Sequence, residues 1–260
     1  MRLFLMPSGF KGEPELTVSG KDFNYLIRAL RLREGQKIMG RDRDGGLWDL
    51  CITGIGKNSC TLHAQRAEKA ESRTDALPET RPLRPIILYQ CLPKGRKTDD
   101  IIKKATEAGV RDIVLVSSRN CVANLEGKEE SRLSRYDAVV AEAIQQSGSL
   151  VPTKVSGVIP ISEVPDDLEA RSGGMATLGL VLHQTSLSED QSDLMECVRG
   201  FNGCTALLVG PEGGLEEDEC RMLLGRGFRA VLLKTNILRC ETASIYAIGA
   251  IQTILESTCQ

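Results

Sequence analysis

Gly210-Pro211-Glu212-Gly213-Gly214 is the stretch whose composition most directly implies chemistry. Glycine reaches backbone angles that other residues resist and leaves main chain bare, so a ligand can lie directly against peptide groups. A second turn follows at Ile237-Leu238-Arg239-Cys240-Glu241-Thr242-Ala243, which brings a cation, a carboxylate and a hydroxyl close together. What these loops lack narrows the ligand. No Lys-Ser or Lys-Thr follows the glycines and no G-x-G-x-x-G is present, so the phosphate-cradling loops of nucleotide enzymes are missing. The spacing predicts a backbone-walled pocket for a small ligand that is neither a nucleoside triphosphate nor a dinucleotide. The competing reading is a glycine turn that only packs.

The elements that must position these turns are legible on either side of them. Ala206 to Val209 is an apolar run of strand length, and Leu215 to Glu219 supplies carboxylates for the positive end of a helix dipole. Ala230 to Leu233 predicts another buried strand, Lys234 to Arg239 a loop, and Glu241 to Ile254 a helix with apolar residues on nearly every face. Upstream, Ile86 to Tyr89, Asp112 to Val116 and Ala176 to Leu182 read as strands. Thr98 to Ala108, closed by Gly109, and Ser131 to Gln146 read as helices. Strands alternating with helices predict an α/β domain with a parallel sheet, whose ligands sit at the carboxyl edge.

Residues 1–72 follow a different rhythm. Leu16 to Val18, Gln36 to Met39, Leu47 to Ile52 and Cys60 to Ala64 are short alternating stretches divided by turns, the pattern of a small β-barrel or sandwich. One helix is expected between Asp22 and Arg33, and its Arg28, Arg31 and Arg33 offer a face for phosphates, or merely a solvated one. Residues 73–84 are polar and proline-rich, the composition of a linker, and 85–260 form the α/β domain.

Composition excludes several classes. The 260 residues are 41% hydrophobic and 26% charged, which suits an ordinary globular protein. No apolar run approaches the ~20 residues of a membrane span, and Pro7 and Ser8 stop the opening apolar run, so a cytoplasmic protein without a membrane is expected. Nine cysteines, none in a C-x-x-C pair, predict reduced thiols and no metal. A net charge of −2 leaves any RNA binding to a local basic patch.

The pair GPEGG and ILRCETA resembles the signature of the SPOUT-class methyltransferases that methylate N3 of a uridine in small-subunit (16S) ribosomal RNA. Leu88 to Val110, Glu142 to Pro152 and Asn24 to Gly35 are similar to the same family, in the same order. The resemblance implies a trefoil-knotted SPOUT domain behind a PUA-like RNA-binding β-barrel, packed as a homodimer, with S-adenosyl-L-methionine as cofactor. The substrate it implies is 16S ribosomal RNA within an assembled or nearly assembled small subunit. Carried onto this chain, it implies that Leu182, His183, Gly210, Glu212, Gly213, Gly214, Ile237, Leu238, Thr242 and Ala243 bind the cofactor.

Methylation at uridine N3 requires alignment and the removal of a proton, by a base or by stabilising the uracil anion. Arg239 is the candidate for holding the anion, and Glu241 and His183 are candidates for the base. A helix cap for Glu241 and a structural role for His183 are the alternatives. Lys94, Arg96, Lys97 and Arg119 join the three N-terminal arginines as candidate RNA contacts. The chain departs from the family pattern at Lys234, Asn236 and Cys240, and at Ser149, where an arginine is usual. Two other functions share these motifs: a non-catalytic RNA-binding or ribosome-assembly protein, and a knotted methyltransferase acting on a ribose 2′-oxygen or on guanine.

Overall fold

The computed structural model describes residues 3–7, 9–42, 45–67, 84–95, 97–122, 129–183 and 191–257. The chain divides into two compact units, 1–81 with 144–152, and 82–143 with 153–260. The stretch expected to be a linker lies, apart from Arg84, outside the described residues.

The first unit is a five-stranded sheet in the order β1-β3-β4-β5-β2. Its strands are β1 (Leu3–Leu5), β2 (Glu15–Ser19), β3 (Lys37–Arg41), β4 (Leu47–Ile55) and β5 (Ser59–Arg66). β1 runs parallel to β3 and the other pairs are antiparallel. Alternation places Leu50, Ile52, Leu62 and Ala64 inward, where they meet Phe4, Val18, Phe23 and Leu26 in one apolar interior.

Between β2 and β3, α1 (Gly20–Phe23) continues as a π-wound turn, Asn24–Ala29. The helix expected to reach Arg33 therefore stops short. Arg28 lies on its last turn, Arg31 adopts a left-handed φ of 56°, and Arg33 follows in a turn where its amide donates to Gln36 Oε1 at 2.8 Å. The reason is visible inside the unit: Leu26 is fully buried and Leu32 packs on the same core, so the chain must turn back before Arg33. All three arginines are exposed.

The second unit is built on a seven-stranded parallel sheet in the order β10-β12-β9-β11-β6-β7-β8. In chain order its elements are β6 (Ile86–Cys91), α2 (Lys97–Glu107), β7 (Asp112–Ser117), α3 (Glu129–Ser147), β8 (Lys154–Pro160), α4 (Val164–Ser172) and β9 (Thr177–Leu182). They continue with β10 (Gln191–Ser192), α5 (Leu194–Val198), β11 (Cys204–Val209), α6 (Glu217–Gly225), β12 (Arg229–Val231) and α7 (Cys240–Ser257). Every residue of β6 and β11 is buried, as expected of central strands covered on both faces.

Periodicity anticipated β6, α2, β7, α3, β9, β11, the start of α6, β12 and α7 and missed β8, α4, β10 and α5. Those four carry no long apolar repeat: β8 is half-buried between exposed ends, β10 has two residues, and α4 and α5 are short. α4 is nevertheless tied to the core, because the buried Tyr89 of β6 donates its hydroxyl to Asp167 Oδ2 at 2.8 Å. Tyr89→Phe is expected to lower unfolding stability in urea by about 1 kcal/mol, the ordinary net worth of one such bond, because Asp167 keeps Arg171 as a partner.

Candidate functional site

The register of the parallel strands decides which loops can meet. Val209 at the end of β11 lies beside Gln90 of β6 and Leu182 of β9, and Leu182 lies beside Val231 of β12. Four adjacent strands therefore release the residues that follow them at one edge of the sheet: Leu92 to Gly95, His183, Gly210 to Glu216, and Leu232 to Arg239. This is the carboxyl edge, the binding edge of open parallel sheets.

The glycine loop is shaped by close packing on one side and backbone handedness on the other. A Cβ at Gly210 would stand 3.3 Å from the Leu215 side chain, and Gly214 has a φ of +74°, where side chains are disfavoured. The Gly214 amide closes a turn onto the Pro211 carbonyl at 2.9 Å. α6 then begins with a capping box in which the Glu216 amide donates to Glu219 Oε2 at 3.0 Å.

A residue that sequence reasoning did not single out holds this loop. Asn120, in the turn after β7, directs Nδ2 at the carbonyls of Gly213 and Gly214, at 3.4 and 3.2 Å, and at Glu216 Oε1, at 2.9 Å. Only its adjacency to Arg119 at a strand end hinted at a place near the site. Arg119 itself contributes an amide to Glu219 at 2.9 Å and a guanidinium that pairs with Asp218 at 2.5 Å.

The second loop is fastened from below by α7. Ser244, fully buried, has its hydroxyl 2.5 Å from Gln90 Oε1 and 2.8 Å from the Cys240 carbonyl, which anchors the start of α7 against β6. The carbonyl of Arg239 accepts the amides of Thr242 and Ala243. Its side chain is exposed and, among the described residues, its guanidinium has no ion-pair partner. Ile237 is 86% exposed, an unusual state for a large aliphatic side chain beside a polar loop, and Leu238 is half-buried.

The glycine loop and the second loop are joined through one cation. Lys97, the first residue of α2, places Nζ 2.8 Å from Glu212 Oε1 and 3.3 Å from Glu241 Oε2. Glu212 also accepts the Lys94 amide. Burial pushes the Glu241 carboxyl up. Hydrogen bonds from its own amide, the Cys240 thiol and Lys97 outweigh that and leave it below the ordinary value. A carboxylate so held is a poor proton acceptor at neutral pH.

His183 continues from β9 with its amide on the Val231 carbonyl and Nδ1 3.3 Å from Cys220 Sγ. Burial lowers the imidazole's pKa, against the opposing charge of Glu217, and raises that of the Cys220 thiol to about 11. At neutral pH a protonated thiol thus faces a neutral ring. The ammonium of Lys94 has no ion-pair partner among the described residues, whereas that of Lys234 pairs with Asp193 at 2.6 Å. Arg96 lies outside the described residues. Among the described residues no group of three His, Cys, Asp or Glu could hold a metal, and no helix is long and apolar enough to cross a membrane.

Comparison with known proteins places this arrangement. The model of an RNA methyltransferase domain matches residues 79–252, and that of an RNA methyltransferase PUA domain matches residues 18–64. A ribosomal RNA small subunit methyltransferase E of Mycobacterium bovis is 29% identical over 235 residues, 90% of this chain and 84% of that protein. The enzyme of the same name from Bacillus subtilis is 27% identical over 243 residues, 92% of this chain and 90% of its own. The crystal structure of a ribosomal RNA small subunit methyltransferase E from Neisseria gonorrhoeae, bound to S-adenosyl methionine, superposes with a TM-score of 0.75 at 25% identity over 98% of each chain. The parallel-sheet unit is thus an RNA methyltransferase domain that follows a PUA domain in the chain, and the chain belongs to the family of RNA methyltransferases.

Proposed function

We propose that this chain methylates N3 of a uridine in 16S ribosomal RNA, with S-adenosylmethionine as donor, acting as a homodimer on an assembled or nearly assembled small subunit. The observation that carries the reading is the meeting of the glycine loop and the second loop at one sheet edge, joined through Lys97 and backed by Asn120. The relatives named ribosomal RNA small subunit methyltransferase E support ribosomal RNA of the small subunit as substrate, and the neighbour bound to S-adenosyl methionine supports the donor.

The residues present suit an adenosyl sulfonium. Close-packed glycine backbone, the aliphatic side chains of Leu182, Ile237 and Leu238, and the hydroxyl of Thr242 offer peptide groups and apolar wall, with no cation in the glycine loop to repel a positive ligand. When bound, the donor supplies an electrophilic methyl group. The protein's task is to orient the base and manage the N3 proton. Arg239, exposed and without an ion-pair partner among the described residues, holds the uracil oxygens as negative charge develops, a task suited to a guanidinium's planar fork. Glu241, with its lowered pKa and its tie to Lys97, suits the capping and clamping role better than that of base. His183 is neutral at physiological pH and its Nδ1 faces the protonated Cys220 thiol, which suits the structural role better than that of base.

RNA is gripped by Arg28, Arg31, Arg33 and Lys94, all exposed. The left-handed backbone at Arg31 supports this, since a bulky residue held there costs conformational energy that ordinary surface loops avoid. Changing Arg28 and Arg31 together to Glu is expected to weaken RNA binding about ten-fold or more at low salt, and to flatten the dependence of log Kd on log salt by about one to two units. A filter-binding salt series checks it. An unchanged slope removes these arginines from the interface.

Dimerisation is supported by α7, which leaves Tyr246 51% exposed, with Ile245 and Ile254 half-buried beside it. The deciding experiment for the whole reading is mass mapping of 16S ribosomal RNA from cells lacking the protein. Loss of one methyluridine is expected. An unaltered methylation map, together with no thermal stabilisation of the protein by S-adenosylmethionine, would favour a non-catalytic assembly role.

A further inference from the structure

We propose that Lys97 is a positioning residue of the methyl-donor site, whose ammonium sets the spacing between the glycine loop and the start of α7 instead of gripping RNA. The inference rests on the function proposed above and adds a residue role to it. Its basis is a cluster drawn from separate elements. Lys97 opens α2, Glu212 lies in the loop after β11, Glu241 lies in the first turn of α7, and the Lys94 amide comes from the loop after β6.

Lysine suits this place because its ammonium is a compact charge with three donors, able to serve two carboxylates that approach from different loops. Its side chain is 30% exposed, and those of Glu212 and Glu241 are 25% and 18% exposed, so water screens the cluster only in part. Charge arithmetic argues against an RNA contact. Two carboxylates around one ammonium leave a net −1, which repels a phosphate and suits a cationic ligand nearby. Glu212 is also held from a second side by the Lys94 amide at 3.1 Å, so the glycine loop is fixed relative to α2 and α7 together.

Ion pairs this exposed add little to global stability. The expected signature is therefore in ligand geometry and not in melting temperature. Lys97→Met keeps the aliphatic stem and removes the charge. Donor affinity by calorimetry is expected to fall about ten-fold or more, because small displacements of positioning groups are costly, while the KM for RNA and its salt dependence stay within about two-fold. Lys97→Arg, which can still reach both carboxylates, is expected to recover most of the lost affinity.

The opposite pattern, unchanged donor affinity with a raised KM for RNA and a salt slope lower by about one unit, would make Lys97 an RNA contact and overturn the proposal. If Lys97→Met does not fold, Glu241→Gln carries the test: reduced donor affinity is expected, and full affinity overturns the clamp. Failure of the unmutated protein to bind S-adenosylmethionine would instead reject the underlying function, so the two failures are distinguishable.

Discussion

Gly213→Val is expected to abolish S-adenosylmethionine binding while the chain remains folded. A Cβ at Gly213 would stand 3.2 Å from the Asn120 Cβ and 3.6 Å from its Cγ, and valine adds two methyl groups beyond that point. Asn120 cannot retreat without releasing the carbonyls of Gly213 and Gly214 and the carboxylate of Glu216, which its amide holds together. The loop would be displaced as a unit, and a loss of affinity of about a hundred-fold or more is expected from misplacing a preorganised wall. Folding should survive, since Gly213 is exposed and the strand before it, β11, keeps its buried contacts. Calorimetry reads the affinity and thermal unfolding the fold. Unchanged affinity would remove the glycine loop from the donor site.

Arg239→Ala is expected to reduce turnover about a thousand-fold with donor affinity altered by no more than about two-fold, the scale of losing one preorganised donor to a developing anion. The split follows from the structure. The backbone carbonyl of Arg239 caps α7 through the Thr242 and Ala243 amides and is retained in the variant, while the exposed side chain is not needed to hold the loop. Arg239→Lys should recover little, because an ammonium offers one point charge where the guanidinium offers a planar fork. Single-turnover assays on RNA measure the effect, and full activity in Arg239→Ala would refute the assignment.

Both experiments test residues that the chain announces, whereas the groups that hold them in place were not announced. Lys97 illustrates the difference. A lysine in a loop beside Lys94 and Arg96 has the composition of an RNA-gripping patch, and nothing local indicates that two carboxylates, one more than a hundred residues downstream and the other still further along the chain, close on it. Arg119 resembles it, with Asp218 as its partner. Asn120 has no signature at all, since an Asn at a strand end is an ordinary turn residue. The N-terminal arginines show the reverse error, a helix extended too far because charge spacing does not reveal where Leu26 and Leu32 turn the chain back onto the core.

The sequence by itself determined the two parallel-sheet turns, the strands that carry them and the absence of phosphate-loop chemistry, because glycine conformation and apolar periodicity are local properties. The tertiary structure alone decided which loops face one another, because that depends on strand order: β6, β11, β9 and β12 are distant in the chain and adjacent in the sheet. It also decided which charges are free for substrate and which are occupied. Electrostatic pairing acts over a few ångströms of space, however many residues of chain lie between the partners.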